Sequence, residues 1–399
     1  MFQRLTILIT CLSLSLFAQE KKEAEKLFQQ GEASLQAGDF QEALIYYNQS
    51  LYLNPGFNEA YKSRALVKEN LKDISGALTD LNIYLERIPD DREVIFSRGA
   101  LQFQLKRYEQ AKEDFLNVLS LPEGETNTVY YNRSASPDGS HQIVTLQGSI
   151  RPLVYNYLGI IETKLNNFKT AMVWLDSALL YENKVADYYV NRGLAKEGAG
   201  DSTARSDYEK ALTLKPDHSI ALNNLANIKR KAGDASASDD LDLAIESDSS
   251  MLYPYLERAL QRTEGGYFEG ALDDYTQALK INDRDPDIWL NRGLVKEKLN
   301  DPKGAFSDYT KAIDLKENFE KAWLNRGNVL IKLGRYKDAV EDYTVALTFV
   351  PEFGPAYYNR AIAYNKLKDS THACEDLKKA ETLGQKVSDK IRKEFCPKD

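Results

Sequence analysis

The chain has 399 residues, 43% of them apolar and 28% charged, with 60 Asp+Glu against 52 Lys+Arg. That length suits two or three ordinary globular domains or one extended array of repeats. The acidic balance argues against nucleic acid as a partner, because affinity for a phosphate backbone rests on clustered cations.

Residues 1–18, MFQRLTILITCLSLSLFA, place Arg4 ahead of an apolar run and end in a small Ala18 before Gln19-Glu20, the order of a secretory signal peptide. Cleavage is expected at Ala18/Gln19. The apolar run is shorter than the roughly 20 residues that cross a bilayer as a helix, and no later segment reaches that length, so the mature chain is expected to carry no transmembrane segment. Cys11 follows Thr10 where a lipoprotein leader places a small residue, and the apolar run continues past it, so lipidation is not expected. Loss of Arg4 with the leader leaves 51 cations against 60 acids, a formal charge of −9.

From Ala24 onward the sequence repeats itself. WLNRG occurs at Trp289–Gly293 and again at Trp323–Gly327, 34 residues apart. With that glycine at the eighth position, units begin at Ala24, Asn58, Arg92, Pro152, Ala186, Ser219, Leu252, Pro286, Glu320 and Gly354, ten in all. Position 8 is always Gly or Ala, and position 20 is alanine from Ala43 to Ala373 if the fifth and sixth units each lack one turn residue. Small residues at both places let two antiparallel helices approach closely, while larger side chains at position 4 (Trp289, Trp323, Tyr357) and position 24 (Tyr309, Tyr343, Leu377) fill the space beside them. Gly38-Asp39 and Gly334-Arg335 mark turns between helices, and Pro55, Pro89, Pro216 and Pro351 close units. Three units occupy 19–122 and seven occupy 152–387.

On these positions the chain resembles the tetratricopeptide repeat family from about Ala24 to Val387. The resemblance implies an all-α fold, a right-handed α-solenoid of about ten helical hairpins, in which the first helix of each pair lines a concave groove and the second forms the convex back. It also implies a protein or an extended peptide as partner, with no catalysis and no cofactor.

Residues 123–151 fit no unit. TVYYNR, SASPDGS and HQIVTL read as strand, turn and strand, so a small inserted β-hairpin is expected there, with an irregular loop as the alternative. A long insertion at one place on a repeat array is often functional. In a bacterial periplasm the sequon Asn132-Arg133-Ser134 carries no meaning. Residues 388–399 should supply a capping helix and tail. Cys374 and Cys396, the cysteines left after the leader, are expected to bridge and staple that cap to the last unit, with two buried thiols as the alternative.

Position 7, usually leucine in the family, is here Arg64, Arg98, Arg192, Arg258, Arg292, Arg326 and Arg360. In the same units position 23 is Asp80, Asp114, Asp207, Asp274, Asp308, Asp342 and Asp376. Units with Gln30 and Leu158 instead carry Tyr46 and Trp174, and the sixth, with Leu225 and Asp240, breaks the pattern. A charge between paired helices needs a partner, so each pair is expected to form a partly buried ion bridge within its hairpin.

Position 6, which faces the groove in the family, is Asn191, Asn224, Asn291, Asn325 and Asn359, interrupted by Glu257. A carboxamide can bond both the N–H and the C=O of a peptide, so one per repeat makes a ladder for an extended chain. The arrangement resembles the asparagine ladder of the O-linked N-acetylglucosamine transferases, although no catalytic domain of theirs is present. The plainer alternative is a polar residue tolerated on a helix. Leu290, Leu294, Leu324 and Tyr358, with Ile331 and Ile362, are expected on the same face, where they would receive apolar side chains. No three consecutive units assemble the basic set of a carboxylate clamp.

His141, His218 and His372 stand apart from one another and from metal-ligand spacing, so no metal site is expected. No nucleophile elbow, phosphate loop or dinucleotide fingerprint occurs. The sequence therefore points to a non-catalytic peptide-binding scaffold in the cell envelope, using the groove of units five to ten. The alternative is a structural part of an envelope or secretion assembly using the convex face or the insertion. The ending SLFAQ resembles exported proteins of Bacteroidetes-type bacteria, which implies the periplasm, with secretion second.

Overall fold

The computed structural model describes residues 2–122, 129–133, 141–145 and 150–396, with residues 2–17 and the two short segments described as backbone alone. The chain divides into two compact units, Met1–Leu214 and Lys215–Asp399. The first holds α1 (Phe2–Gln36), α2 (Phe40–Leu53), α3 (Asn58–Asn70), α4 (Ile74–Arg87), α5 (Arg92–Gln104), α6 (Tyr108–Ser120), β1 (Val129–Arg133), β2 (His141–Thr145), α7 (Arg151–Lys164), α8 (Phe168–Tyr181), α9 (Ala186–Gly198) and α10 (Ala204–Leu214). The second holds α11 (Ser219–Lys231), α12 (Ala237–Ser247), α13 (Leu252–Glu264), α14 (Phe268–Ile281), α15 (Pro286–Lys298), α16 (Pro302–Leu315), α17 (Glu320–Lys332), α18 (Tyr336–Phe349), α19 (Gly354–Lys366), α20 (Ser370–Thr382) and α21 (Asp389–Phe395).

Consecutive helices pack in pairs, α1 on α2 through α9 on α10 in the first unit and α11 on α12 through α19 on α20 in the second, where α21 rests on α20. β1 and β2 pair antiparallel, with Val129 opposite Thr145 and Arg133 opposite His141. The turn anticipated at Pro137-Asp138-Gly139 and the remaining parts of the insertion lie outside the described residues. So do the side chains of nearly all of the leader expected at 1–18, where α1 runs unbroken from Phe2 to Gln36. No helix among the described residues is long and apolar enough to cross a membrane.

Each pair turns the same way. One residue at position 15 is left-handed, as at Gly38 (φ 80°), Lys72 (φ 68°), Asn300 (φ 59°) and Gly334 (φ 75°). The next N–H then reaches back to the carbonyl five residues earlier, Asp39 to Ser34 at 2.9 Å and Arg335 to Leu330 at 2.9 Å, which closes the first helix. Where the following residue is Asp39, Asp73, Asp301 or Asp369 it caps the second helix: Asp73 accepts from Gly76 N–H and Asp301 from Gly304 N–H, both at 2.9 Å. Lysine and asparagine occupy half of these left-handed positions, so glycine is a weaker signal for the turn than the recurring interval.

Between the paired helices the alanines at position 20 are buried, Ala43, Ala305 and Ala339 completely. Position 24 supplies the large filler, and Tyr309 and Tyr343 are fully buried. Their rings lie across the glycine at position 8: a Cβ at Gly327 would stand 2.5 Å from Cε1 of Tyr343. The hydroxyls reach polar partners on the first helix, Tyr309 donating to Glu297 at 2.7 Å and Tyr343 to Asn328 at 2.9 Å. Burial and the Glu297 carboxylate together push the Tyr309 hydroxyl far above its ordinary range.

Candidate functional site

The charged positions build a repeated junction. In all seven arginine-bearing units Nη2 donates to one aspartate oxygen at 2.6–2.9 Å and Nε to the other at 2.7–3.1 Å. The pairs are Arg64–Asp80, Arg98–Asp114, Arg192–Asp207, Arg258–Asp274, Arg292–Asp308, Arg326–Asp342 and Arg360–Asp376. The aspartates are no more than 7% exposed. Two parallel bonds in this fork geometry suit a planar guanidinium better than any other cation.

Two features of the junction go beyond a bridge within one hairpin. Nη1 of each arginine reaches back to the second helix of the preceding hairpin, to Asn48, Asn82, Asp176, Asp242, Thr276, Thr310 or Thr344. Each arginine therefore joins three helices. A second cation, one turn after the arginine, often shares the aspartate: Lys68, Lys196, Arg262 and Lys296 lie 2.8–2.9 Å from it. In the sixth unit, where Leu225 replaces arginine, Lys229 at that same place bonds Asp240 at 2.7 Å. The apparent exception thus keeps a buried acid paired, and its signal was a cation eleven positions into the unit.

The electrostatics follow the burial. Burial works against the charge of Arg192, but its bonds to Asp207 and Asp176 outweigh that and raise it further above the usual arginine range. Arg258 and Arg360 shift the same way. Asp342 is displaced upward because burial outweighs the bonds from Arg326.

The asparagines form no uniform row. Asn191 donates from Nδ2 to Oδ1 of Asn156 on α7, and Asn359 to Oδ1 of Asn328 on α17, both at 2.8 Å. Oδ1 of Asn224 accepts from Asn223 at 3.3 Å, while its Nδ2 is buried without a partner among the described residues. Asn291 and Asn325 are half-buried and have no side-chain hydrogen bond among the described residues. Glu257, the interruption, pairs with Arg230 on the preceding first helix at 3.2 Å.

Of the apolar residues expected on this face, Leu294 is 38% exposed, one turn after Asn291, and Leu260 holds the same place in the preceding hairpin, also 38% exposed. Leu324, Tyr358, Ile331 and Ile362 are half-buried. Leu290 is a correction: at 6% exposure it packs in a core with Ala305, Tyr309, Phe319 and Ala322. Position 5 turns into the seam between successive hairpins, where Phe96 and Val190 are buried as well.

At the end of the second unit Cys374 on α20 and Cys396 after α21 form a disulfide, with Cα atoms 4.9 Å apart. Phe395 is buried against Ala361, Ala373 and Leu377, with Val387 and Ile391 packed alongside.

Comparison with known proteins finds the repeat itself. Family models described as "TPR repeat" and "Tetratricopeptide repeat" match residues 259–300, 24–57 and 320–353, and 93–124, 286–319 and 354–383. Tetratricopeptide repeat protein 16 of Macaca fascicularis is 26% identical over 223 residues, 54% of this chain and 24% of its own length. DnaJ homolog subfamily C member 3 of Gallus gallus is 24% identical over 290 residues, 69% of this chain and 55% of its own. The chain thus spans about a quarter of the first and about half of the second. Among solved structures, the C-terminal part of a TPR repeat-containing protein from Cytophaga hutchinsonii aligns with a TM-score of 0.50 at 17% identity, covering 60% of this chain and 98% of that one. YrrB, described as a TPR protein with an unusual peptide-binding site, aligns with a TM-score of 0.41 at 25% identity, covering 44% of this chain and 92% of its own.

Proposed function

We propose that this chain, which carries tetratricopeptide repeats, is a non-catalytic scaffold that holds an extended peptide along the first helices of its second unit. The observation that carries the reading is the pair Asn291 and Asn325. They occupy the same position of successive first helices, half-buried and without a hydrogen-bond partner among the described residues. A free carboxamide presents an acceptor and two donors, the complement of a peptide group. Leu294 beside Asn291 and Leu260 on the hairpin before offer apolar surface for the ligand's side chains.

A second reading, a structural part of an envelope assembly, draws on the second helices of the first unit. Val173 and Leu180 lie seven residues apart on α8, 63% and 84% exposed, with Tyr181 beside them at 57%. A photo-crosslinking amino acid in place of Leu294 or of Val173 separates the two. Adducts with extended peptides from the first position alone support the groove. Adducts with a folded partner from the second alone support the assembly reading.

The proposal extends to location. The leader-like order of residues 1–18 and the Cys374–Cys396 bond, which an oxidising compartment maintains, support export to a bacterial periplasm. Recovery of the native protein in the cytosol with residues 1–18 intact would contradict it.

A further inference from the structure

On each first helix positions 2, 6, 9 and 13 fall within about 60° of the circumference, so they share the face that carries Asn291 and Asn325. On α15, α17 and α19 that face also carries Lys298, Lys321, Lys332 and Lys366, all exposed, with Asp287 as the acid among them. The three helices are neighbours on this side. Lys332 of α17 pairs with Glu297 of α15, and Asn359 of α19 bonds Asn328 of α17. The lysines thus stand on adjoining helices, in a chain whose formal charge is −8. On α13 the same face holds Glu257 and Glu264, so the basic face begins at α15.

Structural duties do not account for these cations. Lys298, Lys332 and Lys366 lie in the last turns of their helices, where the helix dipole favours a cation on any side. Lys321 lies in the first turn of α17, where the dipole opposes it. Lys298, Lys321 and Lys366 have no ion-pair partner among the described residues. Lys296, on another side of the last turn of α15, is by contrast bound to Asp308 at 2.8 Å. The acids that border the face are engaged. Glu297 accepts from Tyr309 at 2.7 Å besides pairing with Lys332, and Glu394 on α21 accepts from Asn365 at 3.0 Å.

Cations without partners are complemented by carboxylates, and the spacing suits a chain held on the asparagines. Lys298 follows Asn291, and Lys332 follows Asn325, by seven residues, which is two turns or about 10.5 Å along the axis. A helical side chain leans toward the N-terminus of its helix, so these lysines reach back toward the asparagines. A glutamate or aspartate of the ligand that points toward the helix C-termini would meet them. Alternate residues of an extended chain point that way, and those between point toward Lys321 on the other side. A basic peptide would instead meet like charges, which weakens association.

We propose that this face of α15, α17 and α19 binds an acidic extended segment, its backbone on Asn291 and Asn325 and its carboxylates beside Lys298, Lys321 and Lys366. The proposal rests on the function proposed above and names the chemistry of the partner.

The test is selection of a random dodecapeptide library on the immobilised full chain at low salt, in parallel with Lys298→Gln/Lys321→Gln/Lys366→Gln. These side chains are exposed and unpaired, so the variant should keep the wild-type melting temperature. Peptides selected on the wild type should be enriched in Asp and Glu, and those selected on the variant should not. Exchanging three acids of a selected peptide for Gln should weaken it about tenfold at low salt, and by less at high salt. Selected peptides without acids, or acidic enrichment that persists on the lysine variant, would overturn the proposal. If the peptides lack acids but lose affinity in Asn291→Ala/Asn325→Ala, the charge recognition falls and the groove reading stands. If acidic peptides depend on the lysines but not on the asparagines, the basic face stands and the carboxamide reading falls. Enrichment of no peptide at all would overturn both.

Discussion

Arg326 and Asp342 meet fork to fork, Nε on Oδ2 and Nη2 on Oδ1, each at 2.8 Å, with the carboxylate 5% exposed. The same guanidinium lies over the Trp323 ring, 4.6 Å from its centre, and reaches Thr310 on the preceding hairpin at 3.3 Å. One side chain thus ties α16, α17 and α18 together, an arrangement that recurs wherever arginine holds this position.

Arg326→Ala leaves a buried carboxylate unpaired and should cost about 3–5 kcal/mol, whereas Arg326→Ala with Asp342→Ala removes both charges and should cost less. Thermal unfolding of the two variants checks this. Equal melting temperatures would remove the junction from the account.

The same pair predicts a pH dependence. Asp342 has its folded pKa raised, by burial acting against Arg326. The folded state therefore holds the proton more readily than the unfolded one, so this group lowers stability as pH rises from the ordinary carboxylate range through the raised value. Arg326→Ala removes the opposing influence and extends that window upward. Its deficit in melting temperature against the wild type should be smaller at pH 4 than at pH 7, and a deficit equal at both values contradicts the argument.

Much of this frame is legible in the letters, because small residues at positions 8 and 20 and the Arg/Asp correlation recur at a fixed interval. What escaped has a physical reason. The arginine's third contact is to Asn, Asp or Thr, side chains that share hydrogen-bonding capacity without sharing identity, so no letter repeats. The partner of Asp240 is Lys229, one helical turn from where arginine would stand, a separation that folding closes and a column of aligned positions does not.

Close approach within a hairpin gives a packing prediction. Gly327→Ala places a Cβ against Tyr343 and should cost about 1–3 kcal/mol through overpacking. Ala259 coexists with Tyr275 in one hairpin, so the lower end is expected. Adding Tyr343→Leu reproduces the Ala361 and Leu377 pairing and should recover part of the loss in denaturant unfolding. No recovery would place the strain elsewhere.

Cys374→Ser with Cys396→Ser opens a bond closing a loop of 22 residues and should remove about 3 kcal/mol of stabilisation. A seven-residue helix is marginal on its own, so the loss should appear first in α21. Hydrogen exchange should quicken there while α11 to α18 stay unchanged, and uniform acceleration through the second unit would contradict a local role.

Leu290 and Asn291 show the other limit of sequence reading. They are neighbours in the chain but about 100° apart around the helix, and the letters alone placed both on one face. In the structure the leucine belongs to the core, and Leu294 is the exposed one. The asparagines were likewise legible as a series, but whether an amide is free depends on its neighbour. Asn156 and Asn328 engage Asn191 and Asn359, whereas no side chain among the described residues bonds Asn291.

The most direct test is the affinity of the full chain for extended peptides selected from a random library, compared with Asn291→Ala/Asn325→Ala. Losing two carboxamides that bond a peptide backbone should weaken binding by about 2 kcal/mol, roughly thirtyfold, with the melting temperature unchanged. Undiminished affinity in that variant would contradict the assignment of the first helices as the peptide site.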